Sequence, residues 1–293
     1  MSESHAQMMS WSVLLAITPL LVVAIIYLRG WFSLRNAFPK LIPVWRLAAF
    51  MSGLVSVWVF VGSPLAALDH RSLTLHMLKH LLLMTVAAPL ILAGAPSFPL
   101  TCGLPKLFIQ THGFLATELA RGLRRGLTNP VLCWLAGTAA VIGWHLPFAF
   151  QVGMRLHWVH ALEDASFLLA GLLFWEPIIR FSPTATKSPA WSMALYLFLA
   201  TLPCDVLSAL LVFCNRLVYP FYLSTPQLFN LSPLGDQECA GALMWVWVTF
   251  AYLIPAVAIT MRMLSPANSQ GIIEAASHTR AGHSRNSTGA EVL

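Results

Sequence analysis

Charged residues are scarce in this sequence. Only 10% of its 293 residues are Asp, Glu, Lys or Arg, whereas 58% are hydrophobic. A soluble domain has about a quarter charged residues, so this chain cannot cover a surface that faces water. The composition therefore excludes a soluble globular protein and predicts a polytopic membrane protein whose surroundings include a lipid bilayer.

Several motifs of known chemistry are also absent. The five cysteines form no C-x-x-C pair, which excludes a zinc module and a thioredoxin-like motif, and there is no H-E-x-x-H motif. The net charge of +6 comes without a polar domain that mixes Lys and Arg with aromatic residues. We therefore expect no nucleic-acid partner. The sequence shows no internal repeat, and we expect the first apolar run to be retained rather than cleaved as a signal.

Long apolar runs fill most of the chain instead. A helix needs about 20 mostly apolar residues to cross a bilayer. Seven runs reach that length, which predicts an all-α bundle of seven transmembrane helices as a single domain over residues 1–264. The predicted spans are Trp11–Leu28, Val44–Gly62, Leu73–Leu92, Pro130–Phe150, Trp158–Ile179, Ala190–Phe213 and Ala240–Met261.

The basic residues predict the direction of these spans. Thirteen of the 17 Lys and Arg residues fall in the segments on one side, and four fall on the other. Basic residues are concentrated in cytoplasmic loops. We therefore expect the N-terminus outside and the C-terminus in the cytoplasm, which is the arrangement that seven spans require.

Two segments lie outside the predicted spans. Residues 104–127, approximately, mix Leu and Phe with basic residues and predict an amphipathic helix at the cytoplasmic face. Residues 265–293 are polar and rich in Ser, Ala and Gly, which predicts a disordered cytoplasmic tail.

Five histidines from three predicted spans fall near the same, outer side of the membrane. They are His76, His80, His145, His157 and His160. A histidine in hydrocarbon is costly without a partner, and imidazole suits copper, zinc and iron. The spacing of His76 and His80 (i, i+4) and of His157 and His160 (i, i+3) puts each pair on one helix face, where both rings can reach one ion. One membrane histidine alone is often a packing residue, but five on one side predict a metal or cofactor site.

The residue types alone do not decide which metal or cofactor binds. Met77, Met84 and Met244 lie near the same side and favour copper, although methionines in spans usually only pack. Haem is the alternative, with ligands such as His80 and His160 on different spans, and it would make the chain a membrane redox protein.

A proton-coupled transporter is the third hypothesis, and the one that the sequence favours least. Glu163 and Asp164 lie one turn beyond His160 and fit either a proton relay or a group that orients a ligand imidazole. No feature predicts the broken helices of a mid-membrane transport site.

Four short sequence motifs lie between residues 70 and 250, and their order along the chain is informative. The first is His76-Met77-Leu78-Lys79-His80 with Ala88-Pro89-Leu90 and Gly94-Ala95-Pro96; the second is Trp144-His145-Leu146-Pro147; the third is His160-Ala161-Leu162-Glu163 with Gly171-Leu172-Leu173-Phe174-Trp175; the fourth is Asp236-Gln237 with Ala240-Gly241 and Met244-Trp245. Together these blocks resemble the CtaG family of cytochrome c oxidase assembly factors.

This resemblance implies a bacterial inner-membrane protein that crosses the membrane seven times and is not an enzyme. It implies a role in the maturation of haem–copper cytochrome c oxidase, through copper delivery to the oxidase subunits, with a periplasmic copper donor as a further partner. The family often has a histidine four residues after the one that matches His160, whereas this chain has Asp164 there.

The resulting hypothesis is an outward-facing copper site between the third, fourth and fifth spans. His76 and His80 form its centre, and His145 and His160 complete it. The remaining candidates are His157 and Asp164 as further ligands, and Asp236 as a residue that orients a ligand or covers the mouth of the site.

Overall fold

A computed structural model describes residues 2–37, 42–104, 129–180, 190–225, 228 and 230–264. Over these residues the secondary structure is helical and contains no strand, which confirms the predicted all-α class. The predicted amphipathic helix, from residue 105 onward, and the predicted tail lie outside the described residues.

The helices follow the apolar runs closely. They are α1 (Ser2–Ala37), α2 (Val44–Val57), α3 (Leu73–Leu82), α4 (Ala88–Ala93), α5 (Ser97–Gly103), α6 (Pro130–His145), α7 (Pro147–Arg155), α8 (His157–Ile179), α9 (Ala190–Phe213) and α10 (Pro233–Leu264). A π-helical turn, Trp58–Gly62, extends α2, and a second one, Leu83–Ala87, joins α3 to α4. Short 3-10 turns occupy Pro64–Leu68 and Pro220–Leu223.

Several of these helices have the length and apolarity of membrane spans. Five runs qualify alone: Ile17–Arg35, Val44–Gly62, Leu73–Ala93, Trp191–Phe213 and Pro233–Met261. The pair α6 and α7 gives a sixth if it is taken as one bent span. The 23-residue helix α8 carries three acidic residues and is not among them. The chain is therefore a multi-pass membrane protein, and the count of seven spans stays a prediction.

Pro147 divides the fourth predicted span into two helices. Helix α6 ends at His145, and α7 leaves it at an angle of 75°. Proline has no N–H to donate, and its ring disfavours helical geometry in the residue before it. Leu146 is accordingly extended, with ψ near 131°. The bend leaves His145 as the last residue of α6.

A shared core holds α3, α6, α8, α9 and α10 together. Buried side chains from these helices, such as Met77, Phe167, Leu197 and Met244, form one cluster. Large apolar side chains on the opposite faces remain exposed, as is usual for helices surrounded by lipid. A second, smaller core around Tyr27 joins α1 and α2.

The π-helical turn after α3 fixes the position of α8. In this turn the Ala88 N–H donates to the Leu83 carbonyl, an i→i+5 bond, and the Met84 carbonyl accepts a hydrogen bond from Trp175 Nε1 at 2.9 Å. Gly171 makes the close approach possible, because a Cβ at this position would lie 2.8 Å from the Met84 oxygen. The contact helps to bring the N-terminal halves of α3 and α8 side by side.

Helix α10 begins earlier than predicted, at Pro233 rather than Ala240. Asp236 therefore lies in its first turn, where its carboxylate accepts hydrogen bonds from the Ser72 hydroxyl (2.8 Å), the Leu73 amide (2.6 Å) and the Thr74 hydroxyl (2.7 Å). A carboxylate at a helix N-terminus satisfies amides that have no partner within the helix. Asp236 thus ties the start of α3 to the start of α10.

Gly171→Ala should destabilise the bundle, because the new methyl group would meet backbone rather than a side chain that can move. We expect a loss of about 1–3 kcal/mol, typical of overpacking, measured as a lower midpoint of thermal unfolding in detergent. Gly143→Ala is the matched control, since a Cβ there meets nothing within 4 Å. Equal midpoints for the two variants would contradict this account of the α3–α8 contact.

Candidate metal centre

Seven ionisable side chains from α3, from α8 and from the loop before α3 meet at one end of the bundle. We call this set the histidine–carboxylate cluster; its members are Asp69, His76, Lys79, His80, His160, Glu163 and Asp164. The side chain of His160 is 12% exposed, and the other six are buried. Both helices use the same i, i+3, i+4 spacing, which gives each helix one polar face directed at the other.

Three donor atoms converge at the centre of the cluster. His76 Nε2 lies 3.5 Å from Glu163 Oε1, and His80 Nδ1 lies 3.9 Å from the same oxygen. The two imidazole rings are 4.4 Å apart, centroid to centroid. One ligand atom from each of the three residues falls within 4.8 Å of the others, a spacing that one metal ion can bridge.

Three of the four imidazole nitrogens at this centre lack hydrogen-bond partners among the described residues. Both ring nitrogens of His76 and the Nδ1 of His80 are buried and make no hydrogen bond. The contacts with Glu163 are too long for good hydrogen bonds, although its charge attracts a proton or cation on either ring. Buried polar atoms normally have a partner, so three such nitrogens beside a carboxylate fit the donor set of a metal.

In the other half of the cluster, the Lys79 ammonium group contacts two carboxylates and one imidazole. Its Nζ lies 2.5 Å from Asp69 Oδ2, 2.7 Å from Asp164 Oδ1 and 2.8 Å from His160 Nε2. Asp164 Oδ1 also lies 3.3 Å from His80 Nε2, so this carboxylate connects the lysine to the centre. An ammonium group buried at this depth persists only when it is paired.

His160 links the two halves. Its Nε2 is 2.9 Å from Asp69 Oδ2, and its Nδ1 is 3.2 Å from Glu163 Oε2. When both nitrogens carry protons, both donate to carboxylates. The ring is then fixed in place and itself fixes the Glu163 carboxylate that faces His76 and His80.

The charges of the cluster do not balance without the imidazoles or an added cation. Three carboxylates face a single ammonium, which leaves two negative charges in a buried site. Burying unmatched charge is costly. Protonated histidines or a bound cation must therefore supply the remaining positive charge, and the site attracts cations.

Asp69 lies in the loop before α3. Its burial would raise its pKa, but the hydrogen bond with His160 and the charge of Lys79 outweigh this effect and hold the pKa of the Asp69 carboxyl well below its usual range. Burial also lowers the pKa of the neighbouring His70, which favours its neutral form. Asp69 is therefore a fixed negative charge, and His70 is a neutral imidazole able to accept a cation.

The other predicted site residues lie around the cluster rather than in it. His145 is buried, and its nitrogens face the Val141 carbonyl and the Met77 sulfur. His157 is exposed at the start of α8, 6.4 Å from the ring of His70. Both oxygens of Asp236 already accept hydrogen bonds at the start of α3, so its observed contacts are structural. Ligation by these residues stays a prediction.

The sequence pattern does not predict Asp69, His70, Lys79 or Glu163 as ligands. Lys79 had a detectable signal, because a lysine within an apolar run needs a partner. Asp69 and His70 precede the span and have no such signal; only the fold of the loop brings them to His160, whose ring lies 5.0 Å from that of His70.

Comparisons with known proteins agree with the sequence blocks. The model of the cytochrome c oxidase caa3 assembly factor family (Caa3_CtaG) matches residues 25–265. Uncharacterized proteins of Mycobacterium bovis and Mycobacterium tuberculosis are each 25% identical over 248 residues, and one of Mycobacterium leprae is 25% identical over 249 residues. These alignments cover 81–82% of this chain but only 37% of each relative. No solved structure matches the chain.

Asp69→Asn should destabilise the protein by about 3 kcal/mol at neutral pH, because it removes one carboxylate from a buried charge cluster. The folded pKa of Asp69 lies below the unfolded value of about 3.9, so its stabilising effect is complete above about pH 4 and is lost as the pH falls through the folded value. The difference in thermal midpoint from the unmodified protein should be constant between pH 7 and 5 and shrink below pH 4.

Glu238→Gln is the control for this measurement, since Glu238 is an exposed carboxylate on α10. It should change the midpoint little at any of these pH values. A destabilisation by Asp69→Asn no larger than that by Glu238→Gln would contradict the role given to the Asp69–Lys79 pair.

Proposed function

The chain belongs to the cytochrome c oxidase caa3 assembly factor family, and from this membership we propose that it delivers copper to the oxidase from the histidine–carboxylate cluster. Copper is the cargo in this proposal, and the chain performs no catalysis. The observation that carries it is the convergence of His76, His80 and Glu163, which offers two imidazoles and a carboxylate to one ion. Imidazole and carboxylate donors suit Cu(II), which also binds such sites more tightly than other divalent ions of its row.

The two unbalanced negative charges support the choice of a cation as cargo. An arriving ion would take the place of protons on His76 and His80, because only the unprotonated nitrogen can ligate a metal. Lys79 would stay between Asp69 and Asp164 and limit the negative charge available to the ion. A site of this kind holds copper with few ligands, which favours its transfer.

A row of neighbouring imidazole rings extends from the surface to the buried centre and gives the ion a route. It runs from the exposed His157 to His70, His160, His76 and His80, with ring centroids separated by 6.4, 5.0, 5.7 and 4.4 Å. Each step is short enough for an ion to gain a new ligand before it leaves the last. His157 is then a residue of the path, at the point where a copper donor or an oxidase subunit would dock.

The proposal places the cluster at the outer end of seven spans in a bacterial inner membrane, with the N-terminus outside. Contacts near this end support the alternation of the helices. Tyr219, after α9, donates to the His145 carbonyl at the end of α6, and Tyr222 donates to the Asp69 carbonyl before α3. Oxidase subunits, and a periplasmic copper donor, would meet the protein here.

The haem alternative is less well supported by the contacts. A porphyrin held by His80 and His160 would need the space between these two rings. Charged groups in mutual contact occupy that space, from His160 to Lys79 (2.8 Å), from Lys79 to Asp164 (2.7 Å) and from Asp164 to His80 (3.3 Å).

The double variant His76→Ala, Glu163→Gln should lose Cu(II) binding at the cluster, with an affinity at least about tenfold weaker, as is typical when a metal site is disrupted. The number of copper ions per molecule of purified protein would be measured by elemental analysis after Cu(II) loading. In cells, oxidase from a strain that carries the variant should contain less copper than oxidase from the parent strain.

His278→Ala is the control for this experiment, because it removes a histidine outside the predicted spans. It should leave copper binding and oxidase copper content unchanged. Unaltered Cu(II) affinity in the double variant, or unaltered oxidase copper in cells, would overturn the proposed function.

The topology can be tested with the protein's own cysteines. Cys102, at the end of α5, and Cys239, near the start of α10, are both exposed. In variants that retain one of the two as the only cysteine, a membrane-impermeant thiol reagent should label Cys239 in intact spheroplasts and Cys102 only after permeabilisation. Labelling of Cys102 from outside would contradict the proposed orientation.

A further inference from the structure

A small cavity lies inside the bundle beside the histidine–carboxylate cluster. Its volume is about 20 Å³, which is room for about one water-sized particle. Helices α3, α6, α9 and α10 and the π-helical turn after α3 contribute side chains with metal-ligating atoms to its wall. They are Met77, His80, Met84, His145, Cys204 and Met244.

One contact in this wall is hard to explain by packing. His145 Nδ1 lies 2.6 Å from the Val141 carbonyl oxygen, which can only accept, so Nδ1 carries the proton of the neutral ring. The Nε2 lone pair of that ring then faces the Met77 sulfur at 3.0 Å. Two electron-rich atoms do not attract each other at this distance unless a cation, or a second proton on the ring, lies between them.

The distance suits a metal ion. In protein sites zinc lies about 2.0 Å from an imidazole nitrogen and about 2.3 Å from a cysteine sulfur, and we use these lengths as a guide for a thioether. The sum of these lengths exceeds the 3.0 Å between His145 Nε2 and Met77 Sδ, so one ion can touch both atoms while the backbone stays in place.

The chemistry of the remaining wall selects the class of ion. Thioether and thiol sulfurs are soft donors that favour Cu(I), whereas the cluster offers imidazole nitrogens and carboxylate oxygens. Met77, Met244 and Cys204 are only 1%, 2% and 6% exposed, respectively. Methionines in a core usually fill gaps, but here three thioethers and a thiol line the same cavity as a ring nitrogen that faces sulfur.

We propose that this cavity is a second metal site, which binds one monovalent closed-shell ion, Cu(I) or its analogue Ag(I). His145 Nε2 and Met77 Sδ are its primary ligands, and Met244 and Cys204 supply further sulfur. The site goes beyond the proposed function and does not depend on it, because its donors differ from those of the cluster. The ion enters already monovalent, so no electron transfer is required.

His80 connects the two sites. Its Nδ1 faces Glu163 in the cluster, and its ring stacks on Phe167, which also lines the cavity. His76 and Met77, adjacent in the sequence, serve the cluster and the cavity respectively. Helix α3 therefore presents nitrogen donors on one face and the Met77 sulfur on the next.

The test is an anaerobic titration of the purified full-length chain with Ag(I) and Cu(I) against a chromophoric chelator. Met77→Leu with Met244→Leu should weaken monovalent binding at least tenfold and leave Cu(II) binding at the cluster intact, because Leu keeps the shape of the core approximately. The His76→Ala, Glu163→Gln variant should show the reverse pattern. Met193→Leu, a buried methionine outside the cavity wall, should behave as the unmodified protein does.

X-ray absorption at the copper edge gives an independent readout. The Cu(I)-loaded protein should show sulfur neighbours, and the double methionine variant should show fewer of them. Unchanged Ag(I) affinity in that variant, or an unchanged number of sulfur neighbours, would overturn the proposal. If the double variant does not fold, Cys204→Ala decides: weaker Ag(I) binding supports the site, and unchanged binding overturns it. A loss of Cu(II) binding without a loss of Ag(I) binding bears only on the proposed function. The same holds if the His76→Ala, Glu163→Gln variant still binds Cu(II).

Discussion

The ammonium group of Lys79, buried between Asp69 and Asp164, makes the interaction on which this end of the bundle depends. A charge at this depth is tolerated only with partners close by, so the loop before α3 and the N-terminal part of α8 must both reach α3. Once they do, the shared i, i+3, i+4 spacing puts His76 and His80 opposite Glu163 without further adjustment. The lysine is thus the structural reason that histidines from one helix face a carboxylate from another.

The same arrangement leaves the cluster short of positive charge and its central imidazoles short of hydrogen bonds. In a stable core both features are costly. They become useful when a cation is to be taken up and passed on, because binding removes both costs and release restores them. The neighbouring cavity has the opposite character, with sulfur donors and almost no charge. Two ions, or two oxidation states of one, would be distinguished by donor type within a single turn of α3.

Much of the fold could be predicted from apolar length alone. The second span is Val44–Gly62 both by prediction and in the structure, and the third begins at Leu73 in both. The departures have local causes that apolar length does not report. Pro147 bends the fourth span, and α10 starts seven residues early because Asp236 and Gln237 are held by hydrogen bonds to α3 and to the chain after α9. Polar residues at a span end can be satisfied by partners from distant parts of the chain, which hydropathy cannot show.

The sequence by itself determined the membrane class, the helical composition and the fact that several histidines share one side, since these follow from composition and helix period. The tertiary structure decided which of them meet. His76, His80 and His160 join carboxylates, whereas His145 turns to a sulfur and His157 stays at the surface. It also brought in Asp69 and His70 through the path of a loop. The physical reason is that a side chain's depth follows from its place in one helix, while its neighbours depend on how separate helices rotate and approach.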